Sequence, residues 1–473
     1  LQTEHLTPAR RWLILVAVGL FTFMSTLDSS IVNIALPTIS KELGIQMNQA
    51  TWTVSIYLIA VSAMLIFFGR LGDLIGKIRV FRVGTLIFTI GSLLCGLNFG
   101  LEFLLFARFV QALGASMTMS NSFGITTSCF PPKTRARAMS MIGIFVALGS
   151  VTGPGLGGLL LQVSHWSSIF WVNVPIGIFA MILGEKLFPK EPKQPLDRKQ
   201  LDWWGTILFF FSIGSLFLGI EIGQNQGFNQ PITVVSVILA VILFVLFILC
   251  EMKTKTPMIQ LKMFKNSLFS VSLISAMLIF VTNFFASILM PFYLQDLLKY
   301  SPGNAGILMM VFPLVMMVVS PIGGYLGDHF DKEKIAVAGI FLVAIAQLGY
   351  TYFAADTSWW FIVIFTVFNA AGASLFQSPN NALVMESVEK DYLGVAGSIN
   401  ALARNLGMIT GISIATTTLF STMSKNIGYR VTTYVEGRDD IFLNGMHVAF
   451  YVSFGISVVT LIIVVGRMLK KSK

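Results

Sequence analysis

Gly69-Arg-Leu-Gly-Asp-Leu-Ile-Gly-Lys-Ile-Arg79 returns 255 residues later as Gly324-Tyr-Leu-Gly-Asp-His-Phe-Asp-Lys-Glu-Lys334. Gly69 and Gly324 align, as do Leu71 and Leu326, Gly72 and Gly327, Asp73 and Asp328, and Lys77 and Lys332, without a gap. A fixed offset of this kind points to one structural unit used twice. Each copy lies between two long apolar stretches, and eight such stretches separate the copies. A repeat unit of six helices then needs two further helices inserted between the halves. The basic linkers at 186–201 and 251–266 bracket the natural insert. The first of them, from Lys186 to Gln200, is rich in proline and charge and reads as extended chain.

Working outward from the repeat, fourteen apolar segments run from 12–36 to 446–468. Each is near the ~20 residues that cross a bilayer. Only 11% of the 473 residues are charged, against about 25% in soluble domains. The expected fold is therefore an all-α integral membrane protein. It comprises a six-helix bundle at 1–188, linkers with two extra transmembrane helices at 189–266, and a second six-helix bundle at 267–473. No small-residue cleavage site follows the first segment, so no cleavable leader is expected.

The net charge of +10 is a matter of topology rather than of nucleic-acid binding. With the N-terminus inside, cytoplasmic segments hold 25 of the 32 Lys and Arg. The outer loops hold five and the spans two, Arg108 and Arg404. This bias sets both termini on the cytoplasmic side, and the basic surface is suited to anionic membrane lipid. The expected location is the cell membrane, multi-pass, in a bacterial plasma membrane. Cys95, Cys129 and Cys250 have no metal-ligand spacing, and the four histidines form no cluster. No metal or cofactor is expected.

Asp28 sits inside the first apolar stretch, in Leu27-Asp-Ser-Ser-Ile-Val-Asn-Ile-Ala-Leu-Pro37. A carboxylate in hydrocarbon costs ~3 kcal/mol or more, so an intramembrane acid is by default a functional residue. Pro37 is expected to stop or bend the helix near the outer surface. Asp28 lies ~12 Å in from that end, and Arg108 of span four lies ~10 Å in from its outer start. Equal depth suggests that the two pair, either to tune proton affinity or as a static ion pair. Gln111 follows Arg108 on the same helix face. It would line a polar cavity or bond a neighbouring helix. Asp28 itself and Asn33, five residues on, are also cavity candidates, and substrate and proton are expected to compete for Asp28, because a cation is best held by the ionised acid.

Gly149-Ser-Val-Thr-Gly-Pro-Gly-Leu-Gly-Gly158 in span five reads as a close-packing surface, and Gly149, Gly153, Pro154, Gly157 and Gly158 also as a hinge. Arg70, Asp73, Lys77, Arg79 and Asp328 are candidates for a cytoplasmic gate, with Asp73 capping the next helix or pairing with a nearby cation. Arg404, ~14 Å from the inner end of span thirteen, either contacts polar groups of the second half or snorkels to the surface. Phe145, Phe284 and Phe312, with Phe285 and the four methionines of span ten, are candidates for an adaptable apolar cavity.

Together these segments resemble the major facilitator superfamily, and within it the fourteen-helix drug:proton antiporters of the quaternary-ammonium efflux type. The carriers are Leu27–Pro37, the Gly69–Arg79 loop, Arg108-x-x-Gln111-x-x-Gly114, Gly149–Gly158 and Ile169-Phe-Trp-Val-Asn-Val-Pro-Ile-Gly177. They cover spans one to six well; the second half matches in span count, the repeated loop and span thirteen. The resemblance implies that Asp28 accepts a proton within the membrane. It also implies that Arg108 is coupled to that protonation, that Asp73 belongs to a cytoplasmic charge network, and that Gly153 with Pro154 is a hinge. Leu74 and Ile78 replace basic residues usual in the loop, and Ser167 replaces a frequent arginine. Span ten lacks the further acid that some relatives carry, which favours monovalent cationic or neutral lipophilic substrates.

The expectation is a proton-coupled exporter of lipophilic or cationic drugs and related amphipathic compounds, acting as a monomer by alternating access, with protons as the coupling ion. The alternative is a proton-coupled exporter or flippase of a lipid, fatty acid or metabolite. No Gly-Lys-Ser/Thr phosphate loop appears in a cytoplasmic segment. No paired acids or Ser/His or Cys/His set suggest an enzyme.

Overall fold

The computed structural model describes residues 7–130, 132–189, 191, 202–254, 257, 259, 261–388 and 393–471. Among them, fourteen helices are long and apolar enough to cross a membrane. They are α1 Pro8–Leu43, α2 Met47–Ile75, α3 Lys77–Cys95, α4 Leu101–Thr126, α5 Met141–Val163, α6 Ser168–Leu187 and α7 Trp203–Gln226. Then follow α8 Pro231–Lys253, α9 Ser267–Leu297, α10 Pro302–Gly327, α11 Lys332–Tyr350, α12 Trp359–Glu386, α13 Val395–Ile427 and α14 Asp439–Leu469. An even number of spans puts both ends on one face, called inner below.

Pro37, expected to stop or bend the first helix, does not stop it. α1 runs through it to Leu43 and stops at Gly44, whose φ of +63° lets its N–H reach back to the carbonyls of Ser40 and Lys41. A proline withdraws one donor from the helical ladder, and membrane helices tolerate this where a neighbour re-satisfies the freed backbone. The carbonyl freed by Pro37 is that of Asn33; one residue on, the Ile34 carbonyl accepts from Gln295 Nε2 of α9 at 2.9 Å. α6 is interrupted at Val172 and restarts at Asn173. α10 is interrupted at Met310.

The repeat seen in the loops continues into the packing. A Cβ on Gly84 of α3 would lie 2.9 Å from the Gly114 carbonyl oxygen of α4. One on Gly339 of α11 would lie 2.6 Å from the Gly372 carbonyl oxygen of α12. Gly84 and Gly339 are again 255 residues apart. Both helix pairs thus meet backbone to backbone, which only a missing side chain permits.

α7 and α8 pack on each other, with Ser212 Oγ donating to the Ala240 carbonyl at 3.0 Å. α8 is the most apolar span and buries little of itself, as a lipid-facing helix should. The outer end of α7 touches both halves. Gln224 Nε2 donates to Thr416 and Thr417 of α13 at 3.0 and 2.7 Å. Asn48 Nδ2 of α2 donates to Asn225 Oδ1 at 2.7 Å.

The two bundles join at their outer ends. Asn33 Nδ2 donates to Ser287 Oγ at 2.8 Å, and Gln162 Nε2 to Ser301 Oγ at 3.1 Å. Gly158, Gly155, Val151, Leu148 and Ile144 form one face of α5 at helical spacing. Its outer glycines press on Pro302 and Met310, whereas Leu148 and Ile144 are 44% and 52% exposed. The opposing face of α10 behaves alike: Gly303 and Gly306 are buried, and Leu314 and Met317 are each 39% exposed. The cleft between the bundles therefore opens toward the inner side.

Candidate functional site

Asp28 lies at the centre of the first bundle and is wholly buried; Arg108 is 1% exposed. Arg108 Nη1 donates to Asp28 Oδ2 at 2.6 Å. The other carboxylate oxygen accepts from Gln111 Nε2 and from Asn173 Nδ2, each at 2.8 Å. Arg108 Nε donates to the Thr53 carbonyl at 2.9 Å, and its guanidinium lies 4.3 Å from the Tyr57 ring centroid and 5.5 Å from that of Phe170. Gln111 also donates to Ser92 Oγ at 2.8 Å, and its Oε1 accepts from Arg108. Five helices, α1, α2, α3, α4 and α6, supply this cluster.

Local sequence explains why α1 can carry an acid here. Thr22, Thr26, Ser29 and Ser30 donate their hydroxyls to carbonyls four residues back. The helix satisfies its own polar groups, which leaves the Asp28 carboxylate to its neighbours. Two amide donors and an arginine compensate the buried charge. Removing one partner of such a pair costs about 3–5 kcal/mol, because it strands the other charge. Every partner of the carboxylate presents N–H, so a proton on Asp28 needs an acceptor that the present arrangement does not offer it. Asn173 Oδ1 is a buried acceptor with no hydrogen-bond partner among the described residues. Turning that amide over would bring Oδ1 to a protonated Asp28.

Of the residues expected in a substrate cavity, Asp28, Gln111, Asn33, Phe145 and Phe312 make other contacts here, whereas Phe284 and Arg404 lie together near the contact of α9 with α13. Asp28 and Gln111 are sealed from the cleft, because their bonding needs are met inside the bundle. Asn33 closes the outer seam against Ser287. The Phe145 ring covers Gly19 of α1, where a Cβ would collide with it. Phe312 packs on the small second-half core around Ile340 and Phe376. Phe284 stands beside Gly411 of α13, and Arg404 lies with its guanidinium 6.0 Å from the Phe280 ring centroid.

In the glycine motif of α5, Gly149, Gly153 and Gly157 face α1, meeting Phe23, Ser30, Ile31 and Ile34. Gly158 faces α10, and Pro154 sits inside a continuous helix. At the inner loop Asp73 pairs with Lys77, and Arg70 is exposed. Asp73 does not cap α3. Glu191 does, its carboxylate accepting from the backbone N–H groups of Ile78 and Arg79 at 3.1 Å each. The Asp328 side chain lies outside the described residues.

Sequence reasoning missed Thr53, Tyr57, Ser92, Asn173 and Glu191. Asn173 had a signal, since it stands within the Ile169–Gly177 segment. The others had none, as ordinary polar residues on helices whose facing was unknown.

The sequence profile described as Major Facilitator Superfamily matches residues 18–412 and 272–472. The chain belongs to that superfamily. Among similar superfamily members, the riboflavin transporter RibZ of Clostridioides difficile (strain 630) is 33% identical over 464 residues, 98% of this chain and 99% of its own. The multidrug resistance protein Stp of Mycobacterium tuberculosis (strain CDC 1551 / Oshkosh) is 28% identical over 88% of this chain and 77% of its own. The multidrug export protein EmrB of Escherichia coli (strain K12) is 27% identical over 88% and 81%. Among solved structures, a bacterial homolog of the human lysosomal transporter Spinster, inward-facing and occupied, superposes with a TM-score of 0.69 at 14% identity, covering 97% of each chain. This likeness is one of fold. The protein is thus a multi-pass membrane transporter with the facilitator fold.

Proposed function

We propose that the protein is a proton-coupled exporter of amphipathic organic compounds. The observation that carries this reading is Asp28: a fully buried carboxylate bound by three donors, beside an orphaned acceptor on Asn173. In the inward-open state Asp28 is ionised and Arg108 holds it. A proton arriving from the outer side neutralises the carboxylate, releases Arg108 toward Tyr57 and the Thr53 carbonyl, and turns Asn173 over. The five helices that meet at the cluster must then readjust. That links protonation to bundle movement without contact between proton and substrate. The expected competition for one carboxylate gives way to an indirect exclusion, because Asp28 is sealed.

Proton release from detergent-purified protein, followed with a pH-indicating dye as lipophilic fluorophores of either charge are added, tests the coupling. Wild type is expected to release protons on binding, and Asp28→Asn to bind without release. Equal release from both proteins would remove Asp28 from the coupling step.

The second reading is export of a planar metabolite. It is favoured by the 33% identity to a riboflavin transporter along nearly the whole of both chains, against 27–28% for the multidrug relatives named above. Competition by riboflavin for fluorophore binding separates the two.

A further inference from the structure

Arg404 is half-buried, deep in α13, and among the described residues it has neither a carboxylate within ion-pair distance nor a hydrogen bond to protein. A lone cation at such a depth is costly and marks function by default. The inner end of the helix is ~14 Å away, too far for the side chain to reach by snorkelling.

The residues around it locate it. Ser287 of α9 touches Asn33 of α1 across the closed outer seam. Stepping inward along the same face of α9, at three- and four-residue intervals, come Phe284 with Asn283, then Phe280. Ser287 meets the first bundle, while Phe280 and Phe284 lie at the contact with α13, their Cβ atoms beside Gly407 and Gly411, and both rings are half-buried below the seam on the side of the cleft. Arg404 stands over Phe280. Asn283 Oδ1 beside them is buried and has no hydrogen-bond partner among the described residues. Across the cleft, the Asp28 charge is cancelled by Arg108 and sealed from solvent. The cleft wall therefore offers a fixed cation and two aromatic rings, and no accessible acid opposite Arg404 among these residues.

We propose that Arg404 holds an acidic group of the transported molecule, a carboxylate, sulfonate or phosphate, while an aromatic body lies against Phe280 and Phe284. A guanidinium suits this because it binds oxyanions with two parallel N–H bonds and stacks on rings. The inference rests on the reading of the chain as a transporter and is independent of proton coupling. It replaces the cationic substrate expected from sequence, since a fixed positive charge repels a cation.

The test compares two dyes on one xanthene scaffold, anionic fluorescein and cationic rhodamine 123, binding to the full-length protein in detergent by fluorescence polarisation. Wild type is expected to bind fluorescein more tightly. Arg404→Gln is expected to weaken fluorescein about tenfold or more, the usual worth of a charge-assisted bond, and to leave rhodamine 123 unchanged or tighter. Arg404→Lys should recover part of the loss. A parallel fall for both dyes would mean that Arg404 merely supports the fold, and would overturn the proposal. So would tighter rhodamine binding by wild type, or no fluorescein binding at millimolar concentration. Proton release on binding is read separately, so the coupling scheme can fail while this preference stands, and the reverse.

Discussion

At the level of single residues, the pair of Asp28 and Arg108 invites a thermodynamic test. Arg108→Gln leaves a buried carboxylate without its cation and is expected to destabilise the protein by about 3–5 kcal/mol. Asp28→Asn combined with Arg108→Gln removes both charges and should unfold close to the wild-type temperature, yet fail to transport uphill. Thermal unfolding in detergent and gradient-driven dye export in proteoliposomes read the two properties separately. A double variant no more stable than Arg108→Gln would argue against the pair as the dominant interaction. The partnership was legible in sequence because helix rise converts residue counts into depth, and both charges counted to a similar level. Asn173 and Tyr57 were not legible as partners. Depth says nothing about facing, and the break at Val172 that sets up Asn173 carries no proline or glycine within it.

Among the helices, α5 carries two glycine surfaces with different duties, and they predict different failures. A Cβ on Gly149 would lie 2.6 Å from the Phe23 carbonyl oxygen within the first bundle. Gly149→Val should therefore lower expression and melting temperature. Gly158 instead meets the Pro302 carbonyl across the seam, where a Cβ would lie 2.5 Å from it. Gly158→Val should leave the bundle folded and open the outer seam, seen as a wider spin-label separation between the outer ends of α5 and α10. Gly143 has open space around it and serves as the tolerant control. If Gly149→Val and Gly158→Val unfold alike, the division between bundle and seam fails. The stretch of α1 beside Pro37 shows why such contacts escape a linear reading: Gln295, which donates to the Ile34 carbonyl, is 261 residues from it.

For the molecule as a whole, charge distribution makes a definite statement about orientation. With 25 of 32 Lys and Arg on one side, a fluorescent protein fused to either terminus should mature and fluoresce in the cytoplasm. An alkaline phosphatase fused there should stay inactive. Active phosphatase at either end would invert the topology and with it the direction in which the cleft opens. Span number was readable from hydropathy, and the repeat from the 255-residue offset. The position of α7 as a brace across the outer ends of α2 and α13 was not, because it rests on side-chain amides of Gln224 and Asn225. The uncompensated charge on Arg404 has an electrical consequence. A cleft that opens alternately to the two sides carries this guanidinium between two potentials. Asp28 with Arg108, summing to zero, feels no net force. One elementary charge crossing the full field is worth about 2.3 kcal/mol per 100 mV. A cell interior held negative therefore biases the resting transporter toward the inward-open state, and a bound anion on Arg404 cancels that bias, so that voltage restrains the empty carrier more than the loaded one.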